Sequence, residues 1–147
     1  MRRRRAPDRI LTVAKRVLVV DDHAATRATI RTLLESDKNH KFEVIEADSG
    51  TACLKVFDGQ GPFDLVLLDV SMPDLDGYAV CQALRRVDKD VPVVFITGQR
   101  DLEDYHAGRD AGGDSYLVKP ISAAALRSTV HLFTTLSRKP RGTEPAT

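Results

Sequence analysis

The sequence contains no tryptophan and only two cysteines in 147 residues, and it lacks a long apolar run. Without about 18 consecutive apolar residues, a membrane-spanning helix is not expected, and the Arg-rich N-terminus lacks the apolar block of a secretory signal. Cys53 and Cys81 are too few for a disulfide framework or a cysteine metal cage. A reducing compartment, the cytoplasm, is therefore expected.

Several common catalytic motifs are also missing. The chain has no G-x-G-x-x-G fingerprint, no Walker A sequence and no Ser/His/Asp arrangement. Its histidines share no metal-ligand spacing, so surface roles are expected for all four of them: His23, His40, His106 and His131. These absences disfavour dinucleotide-binding, P-loop and serine-hydrolase functions.

Charge and length divide the chain into a body and two tails. Residues 1–16 hold seven Lys/Arg against one Asp, a net charge of +6, and residues 138–147 are +2, which leaves −7 between them. The length fits one domain of about 150 residues, so a separate DNA-binding domain is not expected. We predict a folded domain over 15–137 between disordered tails, 1–14 and 138–147. A nucleic-acid or membrane role for the basic arm is the alternative, although no aromatic residue is interleaved with the arginines.

Short apolar runs alternate with amphipathic stretches along the body. The runs are typical of strands: Val17–Val20, Phe42–Ala47, Leu65–Leu68, Val91–Ile96 and Ser115–Val118. The stretches between and after them predict helices: Ala24–Ser36, Thr51–Phe57, Asp76–Arg86, Leu102–Ala111 and one capped by Ser122. This alternation predicts an α/β fold, a doubly wound parallel sheet with helices on both faces.

Polar residues follow four of the five predicted strands. Asp21 and Asp22 follow the first, Asp69 the third, Thr97 the fourth and Lys119 the fifth. Because the ligand crevice of an open α/β sheet lies beyond the carboxyl ends of its strands, we expect these side chains to converge.

Three converging carboxylates would repel one another unless a cation compensates them. Oxygen ligands of this kind suit Mg²⁺, and Asp69 beside it would be a nucleophile for a phosphoryl group. Lys119 would neutralise charge and the Thr97 hydroxyl would donate to a phosphoryl oxygen. Taken singly, each residue has another explanation: Asp22 or Asp69 as a helix N-cap, Thr97 as a strand-end residue and Lys119 as a surface charge.

Four segments together resemble the receiver domain of two-component response regulators, of the single-domain, chemotaxis-regulator-like kind. They are Val17-Leu-Val-Val-Asp21-Asp22, Asp69-Val-Ser-Met72-Pro73-Asp-Leu-Asp-Gly77, Val93-Val-Phe-Ile-Thr97-Gly98 and Tyr116-Leu-Val-Lys119-Pro120. The resemblance covers residues 15–137 and implies a flavodoxin-like (βα)5 fold with strand order 2-1-3-4-5.

The resemblance also implies roles for individual residues. Asp69 would accept phosphate from a sensor histidine kinase or a histidine phosphotransfer protein, and Lys119 would contact that phosphate. Mg²⁺ would be bound directly by Asp22, through water by Asp21, and by Asp69 and the Ser71 backbone carbonyl. Thr97 and Tyr116 would form the switch pair, and Lys119-Pro120 would be a cis peptide.

The implied function is a stand-alone receiver that signals through contacts with a downstream protein. Its phosphoryl uptake and autodephosphorylation would require Mg²⁺, and it would not be an enzyme acting on a separate substrate. Gly108 and the Gly112-Gly113 pair depart from the family pattern and are expected to loosen the fourth helix.

Two other classes share parts of this pattern. A haloacid-dehalogenase-like phosphatase or mutase uses the same Asp chemistry, but a second Asp is expected where this chain has Ser71. A flavodoxin-like cofactor binder needs a phosphate loop after the first strand, where Asp21-Asp22 would repel an anion.

Overall fold

Five strands and five helices alternate in this computed structural model, which describes residues 13–98 and 102–136. The strands are β1 Lys15–Val20, β2 Phe42–Ala47, β3 Leu65–Asp69, β4 Val93–Thr97 and β5 Ser115–Val118. The helices are α1 Ala24–Glu35, α2 Gly50–Gln60, α3 Gly77–Val87, α4 Leu102–Ala111 and α5 Ala123–Leu136. The two predicted tails lie outside the described residues, apart from Val13 and Ala14.

All strands are parallel and form one sheet in the order β2-β1-β3-β4-β5. The predicted fold class and strand order are therefore confirmed. Strand order reverses beside β1, where consecutive strands β1 and β2 pair on one side and β3 pairs on the other. This reversal opens a crevice at the carboxyl ends of β1 and β3.

The core has two layers, one on each face of the sheet, because successive strand residues point to opposite faces. In β1, Leu18 and Val20 pack into the layer under α2, α3 and α4, whereas Val17 and Val19 pack into the layer under α1 and α5. All four are fully buried. This explains the continuous apolar runs, since strands covered on both faces have no solvent-facing side.

Helix caps settle one alternative raised by the sequence. The N-cap of α1 is His23 and that of α3 is Asp76, whose carboxylate accepts from the Ala79 N–H at 2.9 Å. The interpretation of Asp22 or Asp69 as a helix N-cap is therefore wrong, which leaves both carboxylates available to the crevice. The predicted cap at Ser122 is confirmed, because its hydroxyl accepts from the Ala125 N–H at 3.0 Å.

Three glycines lie in or directly after α4, and two of them allow close packing around aromatic side chains. A Cβ on Gly108 would overlap the Tyr116 hydroxyl, and one on Gly113 would overlap the Phe95 ring. Gly112 ends α4 with a φ of 101°, a conformation that favours glycine. Gly108 and Gly113 leave room for the rings of β4 and β5, whereas a Cβ on Gly112 would approach the Arg85 side chain. The expected loosening of α4 stays a prediction.

Gly77→Ala is expected to destabilise the fold by roughly 1–3 kcal/mol, the usual range for overpacking. A Cβ there would overlap the Asp69 carbonyl oxygen and lie 2.9 Å from the Val70 Cα, and backbone atoms cannot rotate away. Urea unfolding measures the change. Gly59→Ala is the matched control, because a Cβ at that helical position meets no atom within 4 Å. Equal unfolding midpoints for the two variants would contradict this packing argument.

Candidate functional site

The parallel sheet brings four of the predicted site residues to one edge. Asp21 directly follows β1, Asp69 ends β3, Thr97 ends β4 and Lys119 directly follows β5. Strand pairing places Val20 beside Leu68, and therefore sets the next residues, Asp21 and Asp69, side by side across the crevice. The convergence expected from the sequence is thus observed.

Lys119 lies between the two buried carboxylates. Its Nζ is 3.2 Å from Asp21 Oδ2 and 3.8 Å from Asp69 Oδ1. Both aspartate side chains are buried, whereas the lysine side chain is 28% exposed. One ammonium thus balances part of the negative charge of β1 and β3, and it remains reachable from solvent.

Asp69 is harder to ionise than an ordinary aspartate. Burial and the nearby Asp21 carboxylate raise its pKa to about 6, although Lys119 and a hydrogen bond from the Ser71 N–H oppose the shift. That N–H lies 3.3 Å from Asp69 Oδ1. A carboxyl with a pKa near 6 is still ionised, and therefore nucleophilic, at pH 7 and above.

His23 is a site residue that sequence reasoning assigned to the surface. Its Nδ1 lies 3.1 Å from Asp21 Oδ1 and 3.2 Å from Asp22 Oδ1, and its backbone N–H donates to Asp21 Oδ1 at 2.8 Å. The available signal was its position immediately after Asp21 and Asp22. The imidazole, two-thirds exposed, covers the acidic pair from the solvent side.

The donor set suits a divalent cation. Asp21 Oδ2 and Asp22 Oδ1 are buried, and although Lys119 Nζ and His23 Nδ1 lie 3.2 Å from them, neither contact has the geometry of a hydrogen bond. Both oxygens therefore keep lone pairs that a cation would satisfy. One ligand atom each from Asp21, Asp22, His23 and Asp69 lies within 4.8 Å of the others. The carboxylate oxygens match the preference of Mg²⁺, which binds few carboxylates and retains water. The Ser71 carbonyl as a ligand stays a prediction.

Asp22→Ala is expected to weaken Mg²⁺ binding more than Asp21→Ala. Asp22 is partly exposed beside an open pocket that Ser71 also lines, whereas Asp21 is fully buried and occupied by Lys119 and His23. Loss of a group that acts on the metal through an intermediate ligand, as Asp21 is expected to do through water, weakens metal binding roughly 10–100-fold. Loss of Asp22, the expected direct ligand, should weaken it more. Calorimetric Mg²⁺ titration measures both.

Asp48→Ala is the matched control for this comparison, because Asp48 is an exposed carboxylate at the same sheet edge, directly after β2. It should leave the Mg²⁺ affinity unchanged. Equal affinities of Asp21→Ala and Asp22→Ala would reject the ranking.

Thr97 and Tyr116 lie on neighbouring strands and point to the same face of the sheet. Phe95 pairs with Tyr116 and Thr97 with Val118, so the four side chains share one face. Thr97 is buried and Tyr116 is half-buried. The predicted switch pair therefore has its two members one strand apart, with Thr97 at the crevice.

Tyr116 belongs to an aromatic cluster that contains all three tyrosines of the chain. Its hydroxyl lies 3.3 Å from that of Tyr78, and its ring centroid lies 5.4 Å from Phe95 and 5.3 Å from Tyr105. A displacement of Tyr116 would therefore change the surroundings of every tyrosine. The Lys119-Pro120 peptide is cis, as the resemblance implied.

Sequence comparison identifies similar proteins. The family described as "Response regulator receiver domain" matches residues 17–131. "Probable transcriptional regulator ycf27" of Guillardia theta is 38% identical over 130 residues, 88% of this chain and 49% of that protein. "Transcriptional regulatory protein PrrA" of Mycobacterium bovis is 41% identical over 115 residues, 78% of this chain and 48% of that protein. The chain thus spans about half the length of these relatives.

Solved structures share the fold. A putative response regulator from Chloroflexus aurantiacus superposes with a TM-score of 0.77 at 29% identity, covering 84% of this chain and 99% of the other. A CheY-like receiver domain protein from Methanospirillum hungatei gives 0.77 at 24% identity, covering 86% and 98%, a likeness of fold alone. Within the described residues, no helix has the length and apolar character needed to span a membrane.

Proposed function

Because this chain belongs to the response regulator receiver domain family, we propose that Asp69 accepts a phosphoryl group from a phosphohistidine. The donor would be a sensor histidine kinase or a histidine phosphotransfer protein. The observation that carries the proposal is the position of Asp69, a buried carboxylate at the crevice edge with Lys119 Nζ 3.8 Å from its Oδ1.

The proposed step is a transfer between two nucleophiles. A carboxylate oxygen of Asp69 forms a bond to phosphorus, the bond from phosphorus to the donor imidazole nitrogen breaks, and that nitrogen keeps the electron pair. The Asp69 carboxylate is ionised above about pH 6 because its pKa is about 6, so the nucleophile needs no separate base at neutral pH.

Charge neutralisation and positioning account for most of the catalysis in phosphoryl transfer. Lys119 supplies one positive charge, and the Ser71 N–H orients the Asp69 carboxylate through a 3.3 Å hydrogen bond. Mg²⁺ bound by Asp21 and Asp22 would supply the remaining positive charge. The Thr97 hydroxyl, at the end of the neighbouring strand, would donate to a phosphoryl oxygen.

The chain's family is one of phospho-accepting signalling domains, and we propose that its only self-catalysed steps are phosphoryl uptake and autodephosphorylation. Attack of water on the phosphorus of the aspartyl phosphate would release inorganic phosphate and regenerate the Asp69 carboxylate. A haloacid-dehalogenase-like phosphatase would need a general acid where Ser71 stands, and no described carboxylate other than Asp21 and Asp22 joins Asp69 in the acidic cluster.

The proposed output is a change in contacts with a downstream protein, by the receiver acting alone. The names of the relatives favour a second candidate, transcriptional regulation. A pull-down with and without beryllofluoride, a phosphoryl mimic, tests the first.

The buried, free thiols of Cys53 and Cys81 support the proposed cytoplasmic location, because such thiols persist in reducing compartments.

Incubation with acetyl phosphate and Mg²⁺, followed by intact-mass measurement, tests the proposed function. One phosphoryl adduct that requires Mg²⁺ is the expected result. A phosphatase or mutase would instead turn over a phosphorylated small molecule catalytically, and a flavodoxin-like binder would gain no covalent group. Absence of the adduct at saturating acetyl phosphate would contradict the proposal.

A further inference from the structure

A second cluster of metal-ligating side chains lies away from the acidic crevice. His131 Nε2 is 2.9 Å from Asp37 Oδ2, and His40 Nδ1 is 3.5 Å from Asp37 Oδ1. The two imidazole rings are tilted by 34° to each other, with centroids 4.0 Å apart. One ligand atom from each of the three residues lies within 4.8 Å of the others.

The cluster occupies the opposite edge of the sheet from Asp69. Asp37 and His40 lie in the connection from α1 to β2, before the first residue of β2, and His131 lies in α5. Spacing along the chain did not indicate this cluster, because the fold brings together Asp37 and His131, which are 94 positions apart.

The spacing of the ligand atoms suits a tetrahedral metal ion. With bonds of about 2.0–2.1 Å to nitrogen and carboxylate oxygen, two ligand atoms on a tetrahedral Zn²⁺ are roughly 3.3 Å apart. His131 Nε2 lies 2.9 Å from Asp37 Oδ2, close to that value, and one ligand atom from each of the three residues lies within 4.8 Å of the others. Small side-chain adjustments would therefore admit the ion.

Asp37 is already held in position. Its Oδ1 accepts from the backbone N–H groups of Asn39 at 2.8 Å and His40 at 2.9 Å, which leaves Oδ2 directed at His131. Burial opposes ionisation, but hydrogen bonds from His131 and these two amides prevail and lower the Asp37 pKa to about 2. The carboxylate is thus fixed and ionised at neutral pH, as outer-shell hydrogen bonds fix metal ligands.

Solvent and an apolar ring complete the surroundings. The side chains of His40 and His131 are 45% and 31% exposed, so water can reach a fourth coordination position. Phe42, the first residue of β2, stacks on both imidazoles with centroids 6.1 and 5.9 Å away. Two nitrogens, one carboxylate oxygen and an open position form a donor set that suits Zn²⁺.

We propose that Asp37, His40 and His131 bind one Zn²⁺ ion, with water as the fourth ligand. The ion tethers α5 to the α1–β2 connection. Its role is structural, because the cluster lies at the sheet edge away from the phosphoryl site. Neutral imidazole is the ligating form, so binding is measured at pH 7.5.

Calorimetric Zn²⁺ titration of the whole chain, in excess Mg²⁺ to occupy the acidic crevice, tests the site. One equivalent is expected to bind to the wild type, and His40→Gln and His131→Gln should each weaken that binding at least tenfold. Co²⁺ substitution should give the intense visible absorption of a tetrahedral site. His106→Gln is the matched control, because His106 is an exposed histidine outside the cluster, and it should bind as the wild type does.

Far-UV circular dichroism establishes that each variant is folded, and the exposed position of His40 makes His40→Gln the safer of the two. Wild-type Zn²⁺ affinity that both cluster variants retain would overturn the proposal. So would the absence of any binding in excess Mg²⁺, which would identify the cluster as hydrogen-bonded side chains alone.

Discussion

Asp69→Asn is expected to abolish phosphoryl uptake from acetyl phosphate. The substitution is nearly isosteric, but an amide has no anionic oxygen to attack phosphorus. The other two carboxylates of the crevice, Asp21 and Asp22, are expected to serve as metal ligands. Intact-mass measurement in Mg²⁺ should find no adduct. Asp58→Asn, an exposed site on α2, is the matched control and should be phosphorylated at the wild-type rate.

The stability of Asp69→Asn shows whether this variant is folded. Burial raises the Asp69 pKa to about 6, whereas an aspartate in the unfolded chain has a pKa of about 4. The free energy of unfolding of the wild type therefore falls as the pH rises from about 4 to about 6, because the buried carboxyl must ionise. Asn at this position cannot ionise, so without Mg²⁺ at pH 7.5 the variant should be more stable by about 2 kcal/mol. Urea unfolding measures this gain. An adduct on the variant at the wild-type rate would show that Asp69 is not the acceptor.

Thr97→Ala is expected to leave phosphoryl uptake intact but to remove the structural response to it. Thr97 lies at the end of β4, beside Asp69 at the end of β3. Its hydrogen bond to a charged phosphoryl oxygen would contribute roughly 1.5–3 kcal/mol. Since about 1.4 kcal/mol corresponds to a tenfold change in an equilibrium constant, loss of this hydrogen bond shifts the equilibrium between the resting and the phosphate-responsive conformations about 10–100-fold.

The tyrosine cluster provides a readout that needs no partner protein. The chain has no tryptophan, and its three tyrosines contact one another or Phe95, so intrinsic fluorescence reports this cluster. Wild type should change its emission on adding beryllofluoride and Mg²⁺, and Thr97→Ala should not. Thr32→Ala, an exposed position on α1, is the matched control and should respond. A full response from Thr97→Ala would exclude the Thr97–Tyr116 coupling.

The acidic crevice could be predicted from the sequence because it depends on local patterns and one topological rule. Apolar runs marked the strands, and the residues after each run had to meet at one edge once the strands were parallel. Asp21, Asp69 and Lys119 are each a neighbour of a strand end in sequence, so no long-range packing had to be known. Their burial and distances then followed from the register.

Other features depend on contacts that no local pattern contains. The approach of His131 to Asp37 results from the packing of α5 beside α1, and spacing along the chain carries no trace of it. The sequence predicted only that Gly108 loosens the fourth helix, and the packing role of this glycine was not predictable, because the Tyr116 hydroxyl that occupies the space beside it lies on another element. Strand β4 begins at Val93, whereas the apolar run predicted a start at Val91. The residue before Val93 is Pro92, which has no N–H to donate to a neighbouring strand.

The residue that carries the phosphoryl group decides whether Asp69 is the acceptor. After reaction with acetyl phosphate and Mg²⁺, borohydride reduces an aspartyl phosphate to homoserine, a stable mark that peptide mass spectrometry assigns to one residue. Homoserine is expected at position 69, and aspartate at positions 21 and 22. Homoserine at either of those two positions, or a phosphoryl group found on a histidine, would contradict that expectation.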